Sequence, residues 1–231
     1  MTGPALSPVG AELLDDPAAD PRVVGESLRN IARANRWFGG WWAVRYGLER
    51  LVPGDSAPIT LLDLGTGLGD LPAAAQRWAA DRGVRLRAVG LERHPAAAAL
   101  VHAGGLPVVI ACASRLPVRP KSVDIVLISQ LAHHLARASA IDLFRAADGA
   151  ARRGVIVADL RRGAFGRVLY RLGAALLGFD RVTVRDGVTS LRRGYTVGEL
   201  RGLLAAAGVD AHVARRPGYR LVAVWKVRPA A

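Results

Sequence analysis

A single cysteine and a single methionine stand in a chain of 231 residues. Cys112 has no second thiol to pair with, so no internal disulfide can support the fold, and a reducing, cytoplasmic setting is expected. Lysine is almost missing as well: Lys121 and Lys226 are the only two, and arginine carries nearly all of the +13 net charge. No run of about 18 apolar residues occurs, which leaves no candidate membrane-spanning helix. Met1 to Val9 has no basic start followed by an apolar stretch, so no secretory signal is expected either. Aromatic residues make up only 6%, yet three of the five tryptophans, Trp37, Trp41 and Trp42, fall within six positions.

Half of the residues are apolar, enough to bury a core as one domain with a small appendage. The charge is uneven. From residue 151 onward 16 Lys and Arg face 5 Asp and Glu, a net +11, whereas residues 1–150 carry 16 against 14. Such a basic third fits either a solvated face or a polyanion groove. The arginine and alanine bias together looks like a GC-rich coding sequence, which favours the solvated face.

The chain is organised around Leu61-Leu62-Asp63-Leu64-Gly65-Thr66-Gly67-Leu68-Gly69-Asp70-Leu71. A buried strand, 59–64, breaks into a loop with glycine at every second position and passes into a helix ending near Asp81. Those glycines admit φ > 0 and let a ligand lie against the main chain. A dinucleotide loop would need glycine at position 70, where it packs the helix beneath a pyrophosphate. Here Asp70 and Asp63 place two carboxylates at that point. They repel a pyrophosphate and attract a ligand bearing an ammonium and a sulfonium, the charges of S-adenosylmethionine.

Residues 1–22 read as a loosely ordered tail. Two helices follow, 22–36 and 40–52, separated by Gly39-Gly40; together 1–57 form an N-terminal tail and helical cap. The tryptophans there serve either as core filling or as a wall for a flat apolar molecule. A second strand, 85–92, ends in Glu92, one strand-helix-strand unit beyond Asp63, so both acids share a sheet edge. Glu92 there can accept ribose hydroxyls or cap the helix begun at Pro95. Strands are expected at 107–112, 123–129 and 154–160, with a helix at 138–151. The segment 161–194 then interrupts the alternation with an amphipathic helix from Phe165 to Leu177 and a polar, glycine-punctuated stretch, and reads as a lid over the strand ends. Thr196 and Glu199 form a capping box for a further helix ending at Gly208. Strands 209–215 and 219–227 meet at the Arg216-Pro217-Gly218 turn.

The Asp-x-Gly-x-Gly-x-Gly signature at a strand end, followed by this element order over about 59–228, resembles the class I S-adenosylmethionine-dependent methyltransferases. The resemblance implies an α/β fold: a three-layer αβα sandwich around a seven-stranded, mostly parallel sheet, order 3-2-1-4-5-7-6, with strand 7 antiparallel. The methyltransferase domain would span 58–231. The resemblance also implies S-adenosyl-L-methionine as cofactor, held by Asp63, Gly65, Thr66, Gly67, Gly69, Glu92, Arg93, Ala113, Ser114 and Ser129. Cys112 stands where the family usually has the acid that meets adenine, so that contact passes to the backbone or to Ser114. The flanking segments 29–40 and 186–196 look like those of bacterial secondary-metabolite methyltransferases, which implies a small aromatic or polyketide-like acceptor. Arg36, Trp37 and Trp41 are the candidate acceptor-binding residues.

Methyl transfer to a hydroxyl needs donor and acceptor aligned and a base for the acceptor's proton. His133 and His134 follow the central strand and Asp159 ends its neighbour, so one imidazole can be oriented by that carboxylate. No metal is expected. O-methylation of a small acceptor is the preferred reading; RNA methylation using the basic C-terminal third is the alternative. The Asn-Pro-Pro-Tyr signature of base-amine and glutamine methylases is missing. A homodimer is compatible with the sequence.

Overall fold

The computed structural model describes residues 7–16, 18–52 and 58–227. Seven strands, β1 (Ile59–Leu64), β2 (Leu86–Glu92), β3 (Val108–Ile110), β4 (Val123–Ser129), β5 (Ala151–Leu160), β6 (His212–Arg216) and β7 (Arg220–Lys226), form one sheet in the order β3-β2-β1-β4-β5-β7-β6. β1 pairs in parallel with β2 and β4, and β4 with β5, while β7 runs antiparallel to both β5 and β6. This is the expected topology. The central strands are apolar at nearly every position because helices cover both faces.

Helices α1 (Pro21–Trp37), α2 (Gly40–Leu51), α3 (Asp70–Ala80) and α4 (Pro95–Ala103) precede β3; α5 (Arg137–Ala150), α6 (Ala164–Leu176), α7 (Arg181–Arg193) and α8 (Val197–Ala206) follow β4. α2 and α3 pack on one face of the sheet with Leu48, Trp78, Ile125 and Ile156, and α5 and α8 cover the other with Phe144, Leu200 and Trp225. α2 can press onto β5 because Gly47 leaves no side chain to meet Ile156. Local signals fix the ends. Asp20 accepts from the Arg22 amide ahead of Pro21, Gly39 breaks the chain at φ 78°, and Thr196 with Glu199 closes the capping box.

Expectations for the strand bounds, for the stretch after α6 and for the N-terminal segment need correction. β3 is only Val108–Ile110, and β5 starts three residues early, since Ala151 already bonds alongside Val123. The polar, glycine-punctuated stretch after α6, where no helix was expected, is a helix, α7. Its inward face is largely polar, with Thr183, Asp186 and Arg193 buried beside Val188 and Leu191, so an apolar periodicity gives no warning of it. What those polar groups face is the third correction. Residues 7–16 are not loose among the described residues: they form a strap with a 3-10 turn at Leu13–Asp15, bonded to α7. Residues 1–6, 17 and 53–57, including the expected boundary near 57, lie outside the described part.

Candidate active site

The loop after β1 carries Gly65, Gly67 and Gly69 at φ 71°, 57° and 76°, a left-handed run that side chains would strain. It leaves the backbone bare against Leu28 and Leu131, and Gly90 in β2 makes room for Thr66. The Thr66 hydroxyl donates to Asp63 Oδ2 at 2.8 Å, but Asp63 Oδ1 is buried with no partner among the described residues. Burial, reinforced by nearby Asp70 and Glu92, pushes the Asp63 carboxyl up to about 8. A buried carboxylate with one orphan oxygen is an incomplete arrangement that a cation completes.

Glu92 is more fully committed. Its Oε2 accepts from the Gly67 amide at 3.1 Å, and Oε1 from the Arg93 and His94 amides at 2.8 and 3.0 Å. It therefore ties the glycine loop to the end of β2 and does not cap α4, whose N-cap is His94. Asp70 Oδ2 accepts from Asn35, whose Oδ1 accepts from Gln130 at 2.6 Å. Gln130 sits at φ 50°, a bend at the end of β4 that brings α1, α3 and β4 together around the loop.

A cavity of about 370 Å³ opens beside this loop and a smaller one of about 120 Å³ adjoins it. Leu14, Leu28, Gly65, Gly67, Gln130 and His134 line both. The smaller holds Glu92, Arg93, Ala113 and Ser114; the larger holds Asp63, Thr66, Ser129 and His133. Cys112 also lines the smaller, with Sγ 3.2 Å from Ser114 Oγ. Phe38, Leu169, Tyr170 and Tyr219 give the larger cavity an aromatic and apolar wall. Burial, strengthened by the charge of Asp180, pushes the Tyr170 hydroxyl up, so it stays protonated and donates to Thr183 O at 3.0 Å.

Of the three candidate acceptor residues only Trp37 lines a cavity. Arg36 is exposed and stacks on Trp37, and Trp41 packs against the core under α2. The other two are thus corrected by Phe38 and α6, which occupy the wall instead.

His133 and Asp159 meet as the strand order requires. His133 Nδ1 is 2.6 Å from Asp159 Oδ1, and both side chains are fully buried. Burial would raise the Asp159 carboxyl, but the charge and hydrogen bond of His133 outweigh it and hold the group below its usual range. Asp159 thus stays ionised and accepts from His133 Nδ1–H, so the other ring nitrogen, Nε2, faces away from the carboxylate. That nitrogen has no partner among the described residues.

His134 belongs to the strap. Its Nδ1 lies 2.9 Å from Asp15 Oδ1, and Ser7 donates its amide to His134 O. Buried Arg193 of α7 supplies the matching cation: it reaches Glu12 Oε1 at 3.1 Å, Asp15 Oδ2 at 2.8 Å and the carbonyls of Val9 and Gly10. Burial alone would raise Asp15, but the bonds from His134 and Arg193 hold it far below the usual carboxylate range. For Glu12 burial wins and the carboxyl is raised. Arg93 turns to the strap too, donating to Leu14 O and Asp15 O. Nothing in the sequence marks Glu12, Asp15 and Arg193 as partners; only the acids around Leu13-Leu14 hint at an anchored segment. Glu12, His133 and His134 offer ligand atoms within 4.8 Å of one another, but the Arg193 guanidinium already provides positive charge there.

Arg193→Met is expected to release the strap, because breaking a buried ion pair strands Glu12 and Asp15 at a cost of about 3 kcal/mol. Hydrogen exchange of the Leu13 amide, bonded to Asp186 in the intact chain, should then accelerate while the exchange of β4 stays slow.

The bare glycine run, the orphan oxygen of Asp63 and the acid at the end of β2 fit a cationic nucleoside ligand. Residues 62–158, from β1 to β5, match the methyltransferase domain family. No curated protein matches the chain. Among solved structures, a SAM-dependent methyltransferase from Aquifex aeolicus is similar at 14% identity and TM-score 0.61, covering 90% of this chain and 99% of its own. An O-methyltransferase from neocarzinostatin biosynthesis, in complex with S-adenosyl-L-homocysteine and 1,4-dihydroxy-2-naphthoic acid, gives 19% and 0.64 over 93% of this chain and 61% of its own. An O-methyltransferase family 2 protein from Planctomyces limnophilus, in complex with apigenin, gives 18% and 0.63, with 91% and 63% covered. At such identities the likeness is one of fold. The family match from β1 to β5 makes residues 62–158 a methyltransferase domain, and the sheet order with its glycine loop between two acids gives the chain the fold of the class I S-adenosylmethionine-dependent methyltransferases.

Proposed function

We propose that the chain methylates an oxygen of a small, aromatic or polyketide-like acceptor, of the kind made in secondary metabolism. The observation that carries this reading is His133: oriented by ionised Asp159, it lines an aromatic-walled cavity next to the glycine loop, and its buried Nε2 has no partner among the described residues.

S-adenosylmethionine, when bound, supplies an electrophilic methyl group on a sulfonium. Asp63, Glu92 and the bare amides of the glycine loop would hold it, and Ala113 and Ser114 close the smaller cavity around the base. Asp63 carries the charge complementarity, since its Oδ1 has no partner within the chain. Phe38, Leu169, Tyr170 and Tyr219 confine a flat acceptor and exclude water. Alignment of this kind provides a large share of the acceleration. His133 Nε2 takes the acceptor's hydroxyl proton, and Asp159 stabilises the resulting imidazolium without itself becoming protonated. His134 and Arg193 hold the strap that closes the cavity.

The RNA reading loses ground because part of the C-terminal arginine is paired or buried within the chain. Arg152 and Arg153 pair with Asp124, Arg162 with Glu199, and Arg193 and Arg220 are buried. Incubating the purified chain with methyl-labelled donor, a panel of hydroxylated naphthoates and flavonoids, and total RNA decides between them. Label is expected in the phenols. Labelled RNA with unlabelled phenols overturns the proposal.

A further inference from the structure

We propose that α6 seats the protein on an anionic membrane surface, with the mouth of the larger cavity turned toward the lipid. Phe165, Val168, Leu169, Leu172 and Leu176 recur at steps of three and four and are 63%, 50%, 45%, 60% and 89% exposed. Among the described residues they form one apolar stripe along the helix that no other helix or strand covers, with Tyr219 beside Phe165 at its start, whereas Gly166, Tyr170, Gly173 and Ala174 face the protein. An outward stripe on a helix of a folded domain is stable only against something.

Charge identifies the occupant. α6 carries Arg167 and Arg171 and no acid, and the neighbouring end of α1 adds Arg33 and Arg36; Arg162 before α6 is paired with Glu199, and Asp180 after it caps α7. Arg33 donates to Leu177 O, which fixes that end of α1 beside α6. A basic amphipathic helix with Phe and Leu on one face lies in the headgroup region of anionic bilayers, immersing its stripe and leaving arginines among the phosphates. A second copy is the poorer occupant, because apposing two such faces sets arginine against arginine. The stripe spans about 16 Å, the length of a helix lying on a surface and not of one crossing it.

The patch also meets the cavity. Leu169 belongs to both, and Trp37, 61% exposed, stands on the rim with Arg36 stacked on its ring. An acceptor dissolved in the bilayer could then enter without crossing water. This second half, that the acceptor is lipid-soluble, rests on the proposed function; surface binding does not.

The test uses the full chain with vesicles of phosphatidylcholine alone or with about one-third phosphatidylglycerol. Sedimentation is expected to show binding about tenfold tighter to the anionic vesicles, lost as salt rises from about 0.1 M to about 0.5 M. In Leu172→Glu/Leu176→Glu that binding falls at least about tenfold, from two side chains that touch neither cavity. Calorimetry with S-adenosylmethionine controls for folding and should give the same affinity in both proteins. Failure to bind anionic vesicles overturns the proposal, as does binding that the double variant leaves intact. A dimer that the double variant dissociates also overturns it and makes the face an interface between copies. Loss of donor binding by the unmodified chain refutes the methyltransferase reading instead, so the two failures are separable.

Discussion

Asp63→Asn is expected to weaken S-adenosylmethionine binding by about ten- to a hundredfold while making the free protein more stable. The two effects have one origin. Asn keeps an oxygen for the Thr66 hydroxyl, so the packing survives, but it removes the charge that a buried carboxylate offers a cationic ligand. Losing a charge-assisted contact costs roughly 1.5–3 kcal/mol, which sets that range of affinity. Stability goes the other way because the folded chain holds Asp63 near 8, well above its ordinary value of 3.8. Between those values the folded state binds the proton more than the unfolded state does. Stability from this group is therefore full below about pH 4, declines as pH rises, and levels off above about 8. Asn carries no such slope, so its stability gain over the unmodified chain should be larger at pH 8 than at pH 5. Donor affinity of the unmodified protein should climb with pH up to about 8, since the ligand favours the ionised carboxylate, and the variant should be flat. Denaturant melts at pH 5 and pH 8, with calorimetry across the same range, read both effects. A variant that binds normally removes Asp63 from the donor site.

The fold was legible because its central strands are uninterrupted apolar runs and its connections are punctuated by glycine, proline and caps. β1, β2 and β4 fall where the alternation of glycine loop and apolar run puts them, and the hairpin of β6 and β7 is announced by Arg216-Pro217-Gly218. Asp63, Glu92 and the His133–Asp159 pair were readable for a related reason: a parallel sheet brings strand ends to one edge, so residue spacing translates into proximity. The strap and α7 were illegible because their contacts invert the usual signal. Arg193 and Asp186 are buried charges on a helix, and Glu12 and Asp15 are acids in what reads as a tail; hydropathy assigns all four to solvent. Only the two segments together, 178 residues apart at Arg193 and Asp15, cancel their charges. The tryptophans misled in the opposite sense. Their clustering suggested a single wall, but α2 turns Trp41 into the core and leaves Trp42 55% exposed, so Trp37 alone reaches the cavity.

Asp159→Asn is expected to reduce kcat by roughly a thousandfold or more with donor affinity nearly unchanged, the larger of the two catalytic effects. Asp159 accepts from His133 Nδ1, from the His133 amide at 3.2 Å and from the Leu160 amide at 2.7 Å, so its charge is enclosed by donors. Asn retains an acceptor but adds an amide donor of its own. Aimed at Nδ1, that donor moves the imidazole proton to Nε2, the atom that must receive the acceptor's proton. The same change removes the negative charge that steadies the imidazolium. His133→Ala removes the base outright and should slow transfer about a hundred- to a thousandfold, leaving whatever alignment alone provides. Combining the two substitutions should cost no more than the worse single one, because both act on the same proton. Single-turnover rates with a phenolic acceptor, beside calorimetry of the donor, separate chemistry from binding. If Asp159→Asn loses donor affinity in step with rate, the pair is a structural prop. If rates multiply in the double variant, His133 and Asp159 do separate work and the dyad has to be abandoned.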